Sequence, residues 1–369
     1  MSKNYIGLHK SALDTPNLVI DKVKLEQNLA LMQSLAAAKG VAVRAHAKTH
    51  KCSNLAKLQL EYGCIGICVA KVSEALVFAR AGVRGLLLTS PVVTKFKITQ
   101  LIEVLRLAPD TLVVVDNIVN VVELNQALQL NDLQLNILVD IDAGIGRTGV
   151  ALKDARGLID QLSNFAQIKF CGVQCYAGHL QHIADLNERR QQSHAILTAV
   201  SKLKRELLDA GINCVIQTGS GTGTFSLDAE LNEVTEIQPG SYCVMDQEYS
   251  VINYKEQKFS SALTLLTSVI SANHTSHVTV DAGTKALYRV ATLPRIVSHS
   301  DLVYDWDGFG DEHGKVSAIN SMELPKLGEV LELVVAHCDP TINLFDCFYI
   351  TENDIVIDRW EIDARGACQ

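Results

Sequence analysis

Residues 40–51 read Gly-Val-Ala-Val-Arg-Ala-His-Ala-Lys-Thr-His-Lys, an apolar run that continues into a run of cationic side chains. In a strand that begins at Val41, side chains alternate between two faces, so Arg44, His46 and Lys48 share one face. A buried parallel strand is normally apolar on both faces, and burying three cations unpaired would be very costly. Two interpretations are open. The strand runs out into a solvated loop, or Lys48 lies in a polar pocket of an α/β barrel, ready to form a Schiff base with an aldehyde cofactor.

Outside this stretch, short β-branched runs alternate with longer amphipathic runs along much of the chain. The predicted strands are Val41–Ala47, Cys64–Ala70, Gly85–Ser90, Thr111–Asp116, Leu135–Ile141, Phe170–Tyr176, Asn213–Thr218 and Glu236–Met245. Helical patterns accompany them, such as Asp21–Lys39 and Leu186–Ala210. This alternation predicts an α/β fold, a closed (β/α)8 barrel of the TIM type. A doubly wound open sheet is the alternative, but no Gly-x-Gly-x-x-Gly turn follows the first predicted strand.

The pattern changes after Tyr254, where strand-like runs follow one another with little helix between them. These runs are Leu263–Ala272, His277–Asp281, Val330–Ala336 and Asp346–Ile357, with turns at Asp281-Ala282-Gly283 and Asp307-Gly308. We therefore expect two domains. Residues 16–255 form the barrel, and residues 256–369, joined by residues 1–15, form a C-terminal all-β domain.

The composition is that of an ordinary globular protein, with 369 residues, 48% hydrophobic and 20% charged. A net charge of −8 without a dense Lys/Arg block argues against a nucleic-acid partner. No apolar run is long enough for a membrane span, and the N-terminus lacks the apolar core of a signal peptide. The ten cysteines are scattered, which is typical of reduced thiols, so we expect a cytoplasmic protein without membrane partners.

Active sites of such barrels lie where the strands run into the following loops. After the seventh predicted strand comes Gly219-Ser220-Gly221-Thr222-Gly223-Thr224, whose backbone N–H groups could bind an anion. Such loops are common, so this one alone predicts little. In one barrel with a reactive lysine, however, it favours pyridoxal 5′-phosphate (PLP) as the cofactor.

A second candidate site is His337-Cys338-Asp339-Pro340, which follows the predicted strand Val330–Ala336. His337 and Asp339 would point to one face of that strand. One imidazole and one carboxylate, completed by waters, suit Mn²⁺ or Mg²⁺, whereas a thiolate would favour Zn²⁺. The alternative is a solvated strand end.

The order of these motifs resembles the D-threonine aldolase/D-serine dehydratase group of fold-type III PLP enzymes, relatives of alanine racemase. The matching motifs are Asp14-Thr15-Pro16, Arg44–Lys51, Gly146-Arg147-Thr148-Gly149-Val150, Pro239-Gly240-Ser241-Tyr242, Asp281–Leu287, Glu312-His313-Gly314 and His337–Leu344. They run nearly from end to end of the chain. Ala45 departs from the proline that many relatives have.

This resemblance implies roles for individual residues. Lys48 would carry PLP, although Lys51 competes by chemistry alone. The implied cofactor-binding residues are Lys48, His46, Arg147, Tyr176, Gly219, Ser220, Gly221, Thr222 and Tyr242. His337 and Asp339 would hold the metal, and His182 would be the general base. The dehydratases have cysteine at the position of Asp339 and lack His182, so both residues favour the aldolase.

The resemblance therefore implies a PLP- and metal-dependent aldolase, a carbon–carbon lyase. It would cleave D-β-hydroxy amino acids, D-threonine-like or 3-hydroxy-D-aspartate, to glycine and an aldehyde. The alternatives are a D-serine or 3-hydroxyaspartate dehydratase, an amino-acid racemase and a non-catalytic PLP carrier. Relatives form dimers, so we expect a homodimer. The only other binding partner that we expect is the small-molecule substrate.

Overall fold

The computed structural model describes residues 5–252, 258–306, 308–319 and 323–369. The predicted domain boundary between residues 255 and 256, and the predicted turn position Asp307, lie outside these residues. No helix in these ranges has both the length and the apolar character that crossing a membrane requires.

After β1 (Asn17–Asp21), eight parallel strands close into a barrel, as predicted. They are β2 (Ala42–His46), β3 (Gly66–Val69), β4 (Leu86–Leu88), β5 (Leu112–Val115), β6 (Leu135–Asp140), β7 (Ile168–Cys175), β8 (Ile216–Gly219) and β9 (Glu236–Ile237). The last strand is much shorter than predicted, because Pro239 has no N–H to donate and Ser241–Cys243 form a 3-10 turn.

Helices surround this barrel and connect its strands. They are α1 (Lys22–Ala38), α2 (Ser53–Glu61), α3 (Val72–Arg80), α4 (Lys95–Leu107), α5 (Ile118–Leu130), α6 (Leu152–Leu162), α7 (Leu186–Asp209), α8 (Phe225–Asp228) and, beyond the last barrel strand, α9 (Gln247–Ser250). Side-chain caps set several of their starts; for example, Asp21 accepts from Lys24 N–H and Asp185 accepts from Glu188 N–H.

The second domain contains one large sheet. Its strands are β10 (Leu263–Ser271), β11 (Val278–Val280), β12 (Arg295–Ile296), β13 (Leu302–Asp305), β14 (Gly314–Ala318), β15 (Val330–Val334), β16 (Cys347–Glu352) and β17 (Ile355–Glu361), and the short α10 (Cys338–Ile342) follows β15. The predicted strand over residues 346–357 is instead a hairpin, because Asn353 and Asp354 adopt positive φ (+49° and +65°), the geometry of a tight hairpin turn.

The pairing of strand β1 differs from the predicted domain limits, which placed residues 16–255 in the barrel. It pairs antiparallel with β10 and parallel with β16, so residues 17–21 belong to the second sheet and not to the barrel. Leu18, Val19 and Ile20 are all buried, as a strand covered on both faces requires.

Arg44 accounts for one of the three cations on the first barrel strand. Its guanidinium makes two hydrogen bonds of 2.9 Å to the carboxylate of Glu236 on the neighbouring strand β9. A Cβ at Gly66 would clash with this guanidinium, so the glycine leaves room for it. Arg44 and Glu236 therefore form a buried structural ion pair. The other two cationic residues, His46 and Lys48, lie nearer the end of the strand.

Candidate active site

A cavity of about 670 Å³ lies where the barrel strands run into their loops, a size typical of small-molecule sites. It brings together residues from both domains. Among the predicted site residues, those that line it are His46, Lys48, Arg147, Tyr176, His182, Gly221, Thr222, His337 and Asp339. Gly219, Ser220 and Tyr242 do not line it.

Lys48 follows β2 and reaches into the cavity, where its Nζ lies 3.8 Å from Asp339 Oδ2. Burial opposes the charged ammonium, but Asp339 and Tyr176 outweigh this, so the pKa of Lys48 is raised above its ordinary value. The competing Lys51 is directed elsewhere: its Nζ lies 3.1 Å from Glu74 Oε1 in a buried ion pair. The geometry therefore favours Lys48 as the reactive amine.

Three further predicted residues surround this amine. His46 Nε2 lies 3.1 Å from Thr89 Oγ1, and burial together with nearby Lys48 lowers the pKa of His46 well below the ordinary value. The imidazole is thus neutral at neutral pH. The Arg147 guanidinium lies 5.3 Å from the centre of the Tyr176 ring, within the range of a cation–π contact.

Residues 219–224, the phosphate loop, offer donors for an anion. Ser220 adopts φ +71°, a conformation rare for residues other than glycine. The backbone N–H groups of Ser220, Thr222 and Ser241 make no hydrogen bond to the described part of the chain. Free N–H donors beside a cavity that also holds an amine fit a cofactor with a phosphate and an aldehyde, as PLP has.

The structure corrects the expectations for Gly219 and Tyr242. The Tyr242 side chain is fully buried, and its ring centre lies 5.7 Å from that of Phe259. Its backbone N–H donates to Thr222 Oγ1 at 3.2 Å, so Tyr242 supports the phosphate loop from behind. A Cβ at Gly219 would clash with the Cys175 carbonyl, so this glycine serves strand packing.

His337 and Asp339 face the cavity from the second domain, at the start of α10 and not on the predicted strand end. Asp339 Oδ1 accepts a hydrogen bond of 3.3 Å from Ser241 Oγ. Burial alone would raise the pKa of Asp339, but Lys48 and His337 outweigh it and the pKa is lowered. The carboxylate is therefore ionised and available to a cation.

Asp246 orients His337. Asp246, His337 and Cys338 offer ligand atoms within 4.8 Å of one another, which is a possible metal site. However, the Asp246 carboxylate already accepts from Tyr249 N–H (2.8 Å), His337 Nδ1 (3.0 Å) and Cys338 N–H (2.9 Å). Burial raises the pKa of the Cys338 thiol well above its usual range, so it stays protonated. Asp246 thus fixes the His337 tautomer and leaves Nε2 as the free ligand atom.

His182 lines the same cavity, with its ring centre 4.7 Å from that of Tyr249. Burial lowers the pKa of His182 below the ordinary histidine value, although Glu248 and Asp246 oppose this. The imidazole is therefore neutral at neutral pH and can accept a proton from a bound ligand.

The sequence does not reveal the roles of two residues of the site. Asp246 is separated from His337 by 91 residues, and it reads as an ordinary helix cap. Gln181 lines the cavity and donates to Thr224 of the phosphate loop, 43 residues away. Only the folded chain brings these partners together.

Comparisons with known proteins match both domains. Residues 20–248 match the family of alanine racemase N-terminal domains, and residues 262–351 match the putative serine dehydratase domain. A D-threonine aldolase of Arthrobacter sp is 37% identical, covering 96% of this chain and 93% of that protein. A 3-hydroxy-D-aspartate aldolase of Paracoccus denitrificans is 34% identical, covering 98% and 94%.

Solved structures agree with these matches. The crystal structure of a D-threonine aldolase from Filomicrobium marinum superimposes with a TM-score of 0.94 at 32% identity, covering 99% of both chains.

A D-serine dehydratase of Schizosaccharomyces pombe is less similar in sequence, with 24% identity over 98% of this chain and 94% of that protein.

Proposed function

The chain belongs to the alanine racemase-like family that includes the D-threonine aldolases and D-serine dehydratases, and we propose that its cavity cleaves D-β-hydroxy amino acids. It is a PLP-dependent carbon–carbon lyase of the aldolase type. The products would be glycine and an aldehyde. D-threonine-like substrates and 3-hydroxy-D-aspartate are the two substrate classes that the relatives' names support.

One observation carries this proposal: a lysine amine, a neutral imidazole and an imidazole–carboxylate pair line a single cavity. Lys48 and His182 come from the barrel, whereas His337 and Asp339 come from the second domain. Retro-aldol cleavage of a β-hydroxy amino acid needs a covalent anchor for the amino group, a base for the hydroxyl proton and a means to polarise that hydroxyl. Each of these needs has a residue here.

PLP fits the barrel side of the cavity. Lys48 would hold its aldehyde carbon, the phosphate loop would bind its phosphate, and Arg147 and Tyr176 would lie beside it. When bound, PLP supplies an electron sink that stabilises negative charge at Cα as the Cα–Cβ bond breaks.

His182 would accept the proton of the substrate's β-hydroxyl. The burial that lowers its pKa keeps the ring unprotonated at neutral pH, as a base requires. The hydroxyl proton leaves the substrate as the carbonyl of the aldehyde forms, and Cα gains one proton to complete glycine. The proton balance closes, so the reaction needs neither water nor a redox partner.

His337 and Asp339 would hold a divalent cation, whose chemistry there is to lower the pKa of the β-hydroxyl. His337 Nε2 and a carboxylate oxygen of Asp339 are one nitrogen and one oxygen ligand, a set that favours Mn²⁺ or Mg²⁺ completed by waters, with Zn²⁺ as the alternative. Asp339 now pairs with Lys48 at 3.8 Å. Each of these two residues would gain a different partner when cation and cofactor bind.

The homodimer and the cytoplasmic location remain proposals. The resemblance to dimeric relatives supports the homodimer, and the scattered cysteines support the cytoplasmic location.

A product assay tests the proposed function. Purified protein with PLP and Mn²⁺ is given D-threonine, D-3-hydroxyaspartate and D-serine in separate reactions, and glycine, aldehyde, 2-oxo acid and ammonia are measured. Glycine with an equal amount of aldehyde supports the aldolase and ranks its substrates. A 2-oxo acid with ammonia would replace it with the dehydratase, and absence of any product despite bound PLP would contradict both.

A further inference from the structure

The Gln181 side chain connects two barrel loops. Its Oε1 accepts from Gly223 N–H at 3.0 Å, while its Nε2 donates to Thr224 Oγ1 at 3.1 Å and to the Ala177 carbonyl at 3.2 Å. The residue is only 1% exposed although it borders the cavity. A flipped amide would direct its NH₂ group at another donor, the Gly223 N–H, so these contacts fix one orientation.

Two glycines of the phosphate loop make room for this residue. A Cβ at Gly221 would clash with Gln181 Oε1, and a Cβ at Gly223 would clash with the Gln181 carbonyl. The alternating glycines therefore do more than expose N–H groups to an anion. They let the loop close tightly around Gln181.

Thr224 anchors the other end of this connection. Its hydroxyl donates to Asp228 Oδ2 at 2.6 Å and accepts from Gln181 Nε2 and, at 3.4 Å, from Gly221 N–H. Asp228 is 2% exposed and also accepts from Ser193 Oγ on α7. The buried Asp228 carboxylate thus anchors the phosphate loop through Thr224. Gln181 links the phosphate loop to the preceding barrel loop, the one after β7.

The residue after Gln181 is His182, the proposed base. We propose that Gln181 is a positioning residue that couples the phosphate loop to His182, so that an anion in the loop sets the place of the imidazole. The coupling rests on the proposed function, in which His182 takes the hydroxyl proton. The free N–H group of Thr222, which lines the cavity, is where the anion acts, and the buried amide transmits the change.

Inorganic phosphate is the probe. The apoenzyme is labelled with ¹³C at histidine Cε1, and the His182 signal, assigned by its loss in His182→Gln, is followed as phosphate is added. We expect the signal to shift in the wild type and to stay fixed in Gln181→Met, in which the two loops are no longer hydrogen-bonded. Gln192→Met is the matched control, because Gln192 is exposed on α7 and its side-chain amide donates to Glu188 Oε1 at 3.0 Å, away from both loops.

Kinetics supply the second measurement. At saturating PLP, Gln181→Met should lower kcat about tenfold to a hundredfold through a misplaced base, with the substrate KM nearly unchanged. A variant that binds PLP more weakly but keeps the wild-type kcat would show that Gln181 only supports the loop, and would overturn the coupling.

The wild-type titration decides the question even if Gln181→Met does not fold. If the chemical shift of His182 Cε1 does not change when phosphate binds, the proposal is overturned. Because this titration contains no substrate, its result is independent of the product assay, and failure of the proposed function is distinguishable from failure of the coupling.

Discussion

At the scale of single residues, the buried Asp246 carboxylate determines which nitrogen of His337 is free. Both of its oxygens are used, and the bond to His337 Nδ1 is 3.0 Å long. Replacing the Asp246 carboxylate with an isosteric amide should orient the His337 imidazole less firmly and make it less basic. We expect Asp246→Asn to lower Mn²⁺ affinity about tenfold to a hundredfold, as measured by calorimetric titration of the apoenzyme.

Asp142→Asn is a matched control for this measurement, because Asp142 caps its own loop by accepting from the N–H groups of residues 144–146. Mn²⁺ affinity that is unchanged in Asp246→Asn would remove Asp246 from the metal site.

His182 is the second residue on which the account depends. We expect His182→Gln to keep the absorbance of the Lys48-bound cofactor while kcat falls about a hundredfold to ten-thousandfold, because the general base is lost. Absorbance spectra and steady-state assays of the same preparation measure both. The exposed His299 provides a control in His299→Gln. Near-normal turnover in His182→Gln would exclude it as the base.

The pH dependence of kcat carries the same information. A base works only unprotonated, so activity should fall as the pH drops through the pKa of His182. Since burial lowers this pKa, the midpoint of the acid limb should lie below the ordinary histidine value of about 6.5. A midpoint above that value, or an unchanged acid limb in His182→Gln, would assign the limb to another group.

Contiguous motifs in the sequence predict Lys48, His337 and Asp339 as site residues, and the structure places all three in one cavity. The sequence does not reveal the roles of Asp246 and Gln181, because these roles depend on partners far away in the chain. It also assigns Tyr242 to the cofactor, whereas its ring packs against Phe259 in the core. Residue type and spacing do not reveal on which side of a cavity wall a side chain lies.

At the scale of elements, the chain after β17 crosses the turn that carries Lys48. Ala364 N–H donates to the Lys51 carbonyl at 2.9 Å, and Lys51 Nζ contacts the Ala367 carbonyl at 3.3 Å. Glu74, the buried partner of Lys51, lies in the first turn of α3 and accepts from the backbone N–H groups of Ala70 and Lys71. This C-terminal segment therefore holds the β2–α2 and β3–α3 loops together.

Glu74→Gln should break this arrangement by leaving the Lys51 ammonium buried without its counter-charge. We expect a loss of about 3 kcal/mol in the free energy of unfolding, measured with urea on the apoenzyme. The exposed pair Lys202–Glu206, 3.7 Å apart on α7, is the control, and Glu206→Gln should cost less than about 1 kcal/mol. Equal effects of the two substitutions would contradict a structural role for the buried pair.

Elements with strong periodicity are the predictable part of the fold. The eight barrel strands and the long helix α7 are confirmed, because apolar runs and helical stripes directly reflect burial. The strands β12, β13 and β14 are short, and β13 and β14 alternate between buried and less buried positions. The two-residue β12 is a strand only through its pairing with the distant β15, whereas β13 pairs with its neighbour β14.

At the scale of the whole molecule, the candidate active site lies at the junction of the two domains. The barrel contributes Lys48, His182 and the phosphate loop, while the second domain contributes His337 and Asp339. The junction is fixed by backbone bonds, since Gln247 N–H donates to the Val335 carbonyl at 3.0 Å and Glu248 N–H to the Ala336 carbonyl at 3.1 Å. The strand β1 leads from the second sheet directly into the first barrel helix. Such long-range assembly is what the sequence alone could not specify.

In the proposed arrangement, the two domains would hold the two cofactors separately, so a chelator should remove a metal held by His337 and Asp339 and leave PLP on Lys48. The most direct test of the central claim is one NMR experiment on the holoenzyme in D₂O, with D-threonine and with or without EDTA. We expect singly deuterated glycine and acetaldehyde in equal amounts, both lost with EDTA while the cofactor absorbance stays. A 2-oxo acid with ammonium, or deuterated threonine without glycine, would contradict cleavage of the Cα–Cβ bond.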